Sequence, residues 1–258
     1  MATALVTGAT AGLGKALARA LAHEGADLVL VARTRTALEE TARQLRAEGA
    51  GQVAVLPADL ASDTGCDAVT ACLTDPEAPV DLLVNNAGMG YASSFPANTV
   101  ADEEHLLDVN VRATLRLTHA ALGAMIPRRS GAVVNVASVA GLGPAWLAST
   151  YPASKAWVIN FTESLARSRQ VRESGVRLMA LLPGYTRTEF HQRAGISTAS
   201  PPQWLWLDAD RVARTALRHL RRGAVLSVPS LRYKTAAWGL RHLPRTLTRP
   251  FAWEAAPR

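Results

Sequence analysis

Tyr151 and Lys155 stand four residues apart in Tyr151-Pro152-Ala153-Ser154-Lys155. In a helix that spacing puts both side chains on one face. Pro152 is tolerated between them because a first helical turn has no use for the amide proton it lacks. An ammonium beside a phenol lowers the phenol pKa, so the pair is suited to general acid/base chemistry at an oxygen near neutral pH. Taken alone, Tyr-x-x-x-Lys is common and equally describes an exposed helix face. Ser138 gives it company. It follows an apolar run in Asn135-Val136-Ala137-Ser138, where its hydroxyl, just beyond a strand, could hydrogen-bond a substrate oxygen. Asn110, in Asp108-Val109-Asn110-Val111, falls inside a long helical pattern, where Asn has poor propensity and is more often a solvated surface residue.

These residues need a scaffold, and the apolar pattern supplies one. Seven short runs rich in Val and Leu alternate with helix-length segments: Ala4 to Thr7, Leu28 to Ala32, Val53 to Pro57, Leu82 to Val84, Val133 to Ala137, Arg177 to Leu182 and Ala224 to Val228. Continuous apolar strands separated by helical crossovers predict an α/β fold, a doubly wound, seven-stranded parallel sheet of Rossmann type with helices on both faces. A long helix is expected from Thr99 to Met125, opened by a capping box of Thr99 with Asp102 and ended before Pro127. Another should run from about Thr150 to Ser174, stopped by Gly175. Residues 183 to 202 lack periodicity and read as a mobile loop.

Directly after the first strand comes Thr7-Gly8-Ala9-Thr10-Ala11-Gly12-Leu13-Gly14, leading into a helical pattern. Glycines there permit a tight turn, close approach of the backbone to a pyrophosphate, and tight helix–strand packing, while the helix amides face the anion. On its own such a turn is also what a purely structural strand-to-helix connection looks like. Asp59-Leu60 follows the third strand and Asn85-Asn86-Ala87-Gly88 the fourth, both at the carboxyl edge where open α/β sheets bind ligands. Each is ordinary turn chemistry in isolation; together on one edge they indicate a dinucleotide site. The second strand ends Val31-Ala32-Arg33-Thr34-Arg35, with arginine where an acid would bind an adenosine ribose hydroxyl. A guanidinium suits a 2′-phosphate, so NADP(H) is expected over NAD(H), which stays possible; the alternative is that Arg33 and Arg35 are solvated residues before a helix.

From about Thr3 to Val228 the chain resembles the short-chain dehydrogenases/reductases. The likeness rests on the glycine turn, Asp59, Asn85 to Gly88, Asn110, Ser138, Tyr151, Lys155 and Pro183-Gly184 with Thr186, all in family order and spacing. The resemblance implies a tetrad: Tyr151 as acid/base, Ser138 orienting the carbonyl, Lys155 holding ribose hydroxyls and lowering the Tyr pKa, and Asn110 supporting a water relay. It implies cofactor contacts from Thr7, Gly8, Thr10, Gly12, Leu13, Gly14, Arg33, Asp59, Leu60, Asn86, Ala87 and Gly88, and nicotinamide-side contacts from Pro183, Gly184 and Thr186. The Tyr–Lys spacing is narrower than in the enoyl reductases of the superfamily, which favours C–O over C=C chemistry. Ala11 and Leu13 lack the basic residue that some NADP-preferring members carry in the glycine turn. Members commonly associate through the two long helices, so a homodimer or homotetramer is expected.

Composition is consistent with these expectations. The formal charge of +7 is concentrated at the C-terminus, since residues 229 to 258 hold six Arg or Lys against Glu254 alone, leaving the body close to neutral. That distribution argues against a nucleic-acid partner. We expect one catalytic domain over residues 1–228 and a basic amphipathic tail over 229–258. The tail either packs on the substrate loop or a neighbouring subunit, which we favour, or touches an anionic membrane surface. Cys66 and Cys72 lack metal-ligand spacing, the six histidines are scattered, and no secretory signal or membrane span is visible, so a cytoplasmic enzyme without a metal is expected. Trp146, Tyr185, Phe190, Trp204 and Trp206 suggest either a pocket for an apolar or ring-containing carbonyl or alcohol, or plain core. A silent dinucleotide sensor and a sugar-nucleotide epimerase are the competing readings. The intact acid/base residues speak against the first and the short C-terminal region against the second.

Overall fold

The structure, a computed structural model, describes residues 2–143, 149–195 and 202–242. Strands β1 (Thr3–Thr7), β2 (Asp27–Ala32), β3 (Val53–Pro57), β4 (Leu82–Asn85), β5 (Ala132–Val136), β6 (Arg177–Leu181) and β7 (Leu226–Ser227) form one sheet in the order β3-β2-β1-β4-β5-β6-β7. Every pairing is parallel, with Leu5 of β1 opposite Val29 of β2 and Leu83 of β4. The sheet is buried on both sides, which is why its strands read as unbroken apolar runs. Ala4 and Val6 face one core, built with α1 (Gly12–Ala22), α2 (Arg35–Ala47) and α9 (Ala209–Arg221); Leu5 faces the other, built with α3 (Asp63–Thr74) and α5 (Ala113–Met125). Helix α2 buries Leu38, Thr41, Ala42 and Leu45, the three- and four-residue spacing of an amphipathic helix. Each fully buried Leu of this kind contributes about 1.5–3 kcal/mol.

The strand order reverses between β1 and β4. The carboxyl ends of these two strands therefore open a crevice, the position where such sheets bind ligands. Seven strands and their parallel order match the expected fold class.

Several local expectations need correction. The helix expected from Thr99 to Met125 is α4 (Val100–Leu107) continued through a π-helical turn (Asp108–Arg112) into α5; its capping box is present, with Thr99 and Asp102 exchanging 3.1 Å hydrogen bonds. The helix expected to reach Ser174 is α6 (Tyr151–Arg167), broken at Ser168 before α7 (Arg169–Ser174). Ser168 is extended and its hydroxyl accepts from the Val171 amide, the local competition with helix that serine offers. Gly175 ends α7 at φ +78°, as expected. The stretch read as a loop after β6 contains the short helix α8 (Phe190–Arg193), and α10 (Leu231–His242) follows β7.

Candidate active site

The crevice is built around the turn between β1 and α1. Gly8 and Gly12 have φ of +64° and +53°, where an L side chain is strained. At Gly14 a methyl group would lie 2.3 Å from the Gly8 carbonyl oxygen and 2.3 Å from Asn86 Nδ2. Gly14→Ala is therefore expected to cost about 1–3 kcal/mol of overpacking, read as a lower unfolding temperature; an unchanged temperature would refute this packing argument. The Thr7 hydroxyl accepts from the Asn86 and Ala87 amides at 2.9 and 3.0 Å, and Asn86 Nδ2 donates to the Thr7 carbonyl at 2.9 Å, so β1 and β4 are clamped at their carboxyl ends. Side chains of Ser62, Thr99, Ser168 and Asp208 cap α3, α4, α7 and α9, whereas Ala11 leaves the first amides of α1 without a side-chain acceptor. Uncapped amides behind a glycine turn fit a pyrophosphate. Arg33 is exposed beyond β2, whose Val31 carbonyl accepts from the Gly8 amide at 2.8 Å. Asp59 is exposed beyond β3, with Leu60 buried beside it. These residues fit a dinucleotide.

Further along the same edge, the carboxyl end of β5 carries Ser138 and the first turn of α6 carries Tyr151. Ser138 Oγ accepts from the Ala140 amide at 3.1 Å, and the Ser138 hydroxyl is near enough to the Tyr151 phenol to favour its ionised form. Tyr151 is buried, which pushes its phenol up to about 12 against the opposing effect of Ser138. Burial pulls the Lys155 ammonium down to about 8; its Nζ donates to the Val136 carbonyl at 3.0 Å and stands 5.8 Å from the Tyr151 ring centre. The expected acidifying influence of Lys155 on Tyr151 is therefore not what dominates in the protein alone, because desolvation outweighs it.

Asn110 is 1% exposed rather than solvated. The π-helical turn rotates it inward, where Oδ1 accepts from the Met89 amide at 2.9 Å and Nδ2 donates to the Met89 carbonyl at 2.9 Å and to Ser154 Oγ at 3.1 Å. Ser154 Oγ donates in turn to the Tyr151 carbonyl at 2.7 Å. A methyl group at Gly88 would touch both Asn110 Oδ1 at 3.1 Å and Lys155 Nζ at 3.2 Å, so the four residues predicted for chemistry do converge. Sequence reasoning missed two supports. Glu103 is buried and accepts from the Thr150 amide at 2.9 Å, fixing the start of α6; burial pushes its carboxyl up, but hydrogen bonds from Thr150 and Asn98 outweigh this and hold it low. A buried ladder links Asn85, Thr118, Asn135 and Thr162 and ties β4 and β5 to α5 and α6.

Beside Tyr151, Phe190 packs at 5.7 Å, followed by His191, Tyr185 and Trp206 in mutual ring contact. His191 was not singled out from sequence, yet it is buried and its Nδ1 has no partner. Trp204 is 62% exposed and makes no ring contact among the described residues, so it is not core; Trp146 lies outside them. Thr186 is buried, its hydroxyl donating to the Gly184 carbonyl at 2.9 Å, and the Pro183 carbonyl accepts from the Val139 amide at 3.1 Å. Tyr233 of α10 lies against Gly184, its hydroxyl accepting from the Tyr185 amide and donating to the Leu205 carbonyl, both at 3.0 Å. No helix among the described residues is long and apolar enough to cross a membrane.

A family model described as short chain dehydrogenase matches residues 2–197. The ketoacyl reductase HetN of Nostoc sp. is 35% identical over 205 residues, which cover 76% of this chain and 70% of that protein. A short-chain dehydrogenase from Sphingobium yanoikuyae, solved in complex with NADPH, superposes with a TM-score of 0.84 at 34% identity, covering 95% of this chain and 97% of that one. The bulky-bulky ketone specific alcohol dehydrogenase from Comamonas testosteroni gives 0.79 at 28% identity, with 95% and 99% covered. With the fold, the glycine turn and the order of its polar residues all in agreement, the chain belongs to the short-chain dehydrogenase family, oxidoreductases that use NAD(P)(H).

Proposed function

We propose that this protein is an NADP(H)-preferring oxidoreductase that interconverts a ketone or aldehyde and the corresponding alcohol on an apolar or ring-containing substrate. The observation that carries this reading is the buried Tyr151 phenol at the carboxyl edge of the sheet, with Ser138 acting on it and Lys155 Nζ 5.8 Å from its ring centre. The dinucleotide would be held by Thr7, Gly8, Thr10, Gly12, Leu13 and Gly14 at its pyrophosphate, by Asp59, Leu60, Asn86, Ala87 and Gly88 along the crevice, and by Pro183, Gly184 and Thr186 near the nicotinamide. When bound, it supplies or accepts the hydride. Ser138 orients the substrate oxygen. Tyr151, protonated throughout the neutral range, donates its proton to that oxygen as it gains charge, and takes one back in the oxidative direction. Lys155 binds ribose hydroxyls and supports the phenolate by its charge; Asn110 holds the backbone at Met89 and lines the path by which the proton is replaced.

Two lines favour the substrate class. Phe190 packs on Tyr151 and connects through His191 to the rings of Tyr185 and Trp206, and a structural relative at 28% identity is named for bulky ketones. A screen of bulky ketones and aldehydes, following loss of NADPH absorbance, tests the reading; no turnover of any carbonyl by cofactor-loaded protein would defeat it. We assign the NADP preference to Arg33. Arg33→Ala is expected to weaken NADPH by roughly 10- to 100-fold, the loss of one charged hydrogen-bonding group, and NADH by much less. Equal losses for the two cofactors in a fluorescence titration would overturn the assignment. We also propose self-association through the long helices, where Val100, Leu107 and Leu115 leave apolar surface exposed.

A further inference from the structure

Five side-chain cations surround one hollow of about 780 Å³ between α9 and the start of α10. Arg211, Arg214 and Arg218 come from the exposed face of α9, at the three- and four-residue spacing that aligns them; Arg232 and Lys234 face them from α10. Several arginines elsewhere find carboxylates, as Arg19 does in Glu48, Arg112 and Arg116 in Asp63, Arg221 in Glu24, and Arg241 in Glu163, although others among the described residues, such as Arg33 and Arg177, do not. Among the described residues these five cations have no carboxylate partner. The one acid in the lining, Asp208, is committed to capping α9, accepting from the Arg211 amide at 2.8 Å.

Such a gathering of like charge is unfavourable until an anion enters it. His219, in the wall, feels the field: burial first, then Lys234, Arg218 and Arg222, hold its imidazole below the usual range. Guanidinium groups match phosphate oxygens in pairs, and the volume is that of a small-molecule site rather than of a flat surface. The hollow is also distinct from the cavity at the N-terminus of α1, with which it shares only Asp208. Its remaining wall mixes Leu207, Val212, Pro229 and Leu231 with the hydroxyls of Thr215 and Ser230, and includes Trp206, whose ring meets His191 at 4.8 Å.

We propose that this hollow binds a small polyphosphorylated molecule at a second site, separate from the dinucleotide crevice. Calorimetric titration of inorganic tripolyphosphate into protein carrying one equivalent of NADP+, at low ionic strength, tests it. One-to-one binding is expected, weakened roughly tenfold or more in the triple variant Arg214→Ala/Arg218→Ala/Lys234→Ala, since several charged contacts are lost. All three residues are exposed, so the variant should keep the wild-type unfolding temperature. Arg214→Lys/Arg218→Lys, which keeps the charge, should retain most of the affinity. Arg43→Ala/Arg167→Ala/Arg169→Ala removes three charges from other surfaces and should bind like wild type. The proposal is overturned by absence of binding to wild type, by equal losses in the two alanine variants, or by binding to phosphatidylglycerol vesicles without binding of tripolyphosphate. Because the readout is binding, any of these results leaves the oxidoreductase reading untouched.

Discussion

Tyr151→Phe is expected to lower kcat by roughly 10²–10⁴-fold, the ordinary contribution of a positioned general acid, while leaving NADPH affinity and the unfolding temperature close to those of wild type. The substitution removes one oxygen from a ring that is otherwise retained, so the packing against Phe190 persists. The hydroxyl is the atom on which Ser138 acts, and in this buried setting it carries its proton up to a pH of about 12. It is thus an acid waiting for a developing alkoxide, and removing it takes away the proton without disturbing the crevice. The effect should fall on kcat more than on the cofactor Kd. Wild-type turnover by the Phe variant would sink the proposed role, and so would a loss of activity fully explained by lost cofactor binding.

Replacing the neighbouring cation should separate activity from stability in a second way. Lys155→Met is expected to abolish most activity and yet to raise stability at pH 7 by about 2 kcal/mol. The folded chain releases the Lys155 proton at about 8, whereas an unburied lysine holds it to 10.5. Between those values the unfolded chain binds more protons, so stability rises with pH; below about 8 both states are protonated and the full cost of burying the charge is present, about 3 kcal/mol. Methionine removes that cost but leaves the Val136 carbonyl without its donor, a loss of about 1 kcal/mol. For a chain of this size the net gain corresponds to a rise in unfolding temperature of roughly 4–8 °C. The gain should shrink as pH rises from 8 towards 10.5, where the wild-type lysine is itself becoming neutral. A destabilised Met variant at pH 7, or a gain independent of pH, would contradict this account. Stability given up for a buried charge beside the acid/base residue is the trade expected at an active site.

The strands, the helix start at Thr99 and the helix stop at Gly175 were legible from sequence because their causes are local. Val and Leu runs mark strands that parallel packing buries on both faces, Thr99 and Asp102 satisfy each other within one turn, and Gly175 stops a helix by its own φ. The glycine turn is equally local, since Gly8 and Gly12 need their backbone angles wherever the chain folds next.

Other features depend on partners far along the chain. Asn110 reads as a poorly placed helical residue until a π-helical turn rotates it onto Met89 and Ser154. Glu103 looks like surface charge until Thr150, 47 residues later, meets it, and Tyr233 reads as part of a basic tail until it packs on Gly184. The sequence determined which residues can carry a proton and where the strands must end, because side-chain chemistry and backbone angles belong to each residue. Burial, and with it the protonation of Tyr151 and Lys155, was decided only by tertiary structure, because desolvation is set by everything that packs around a group.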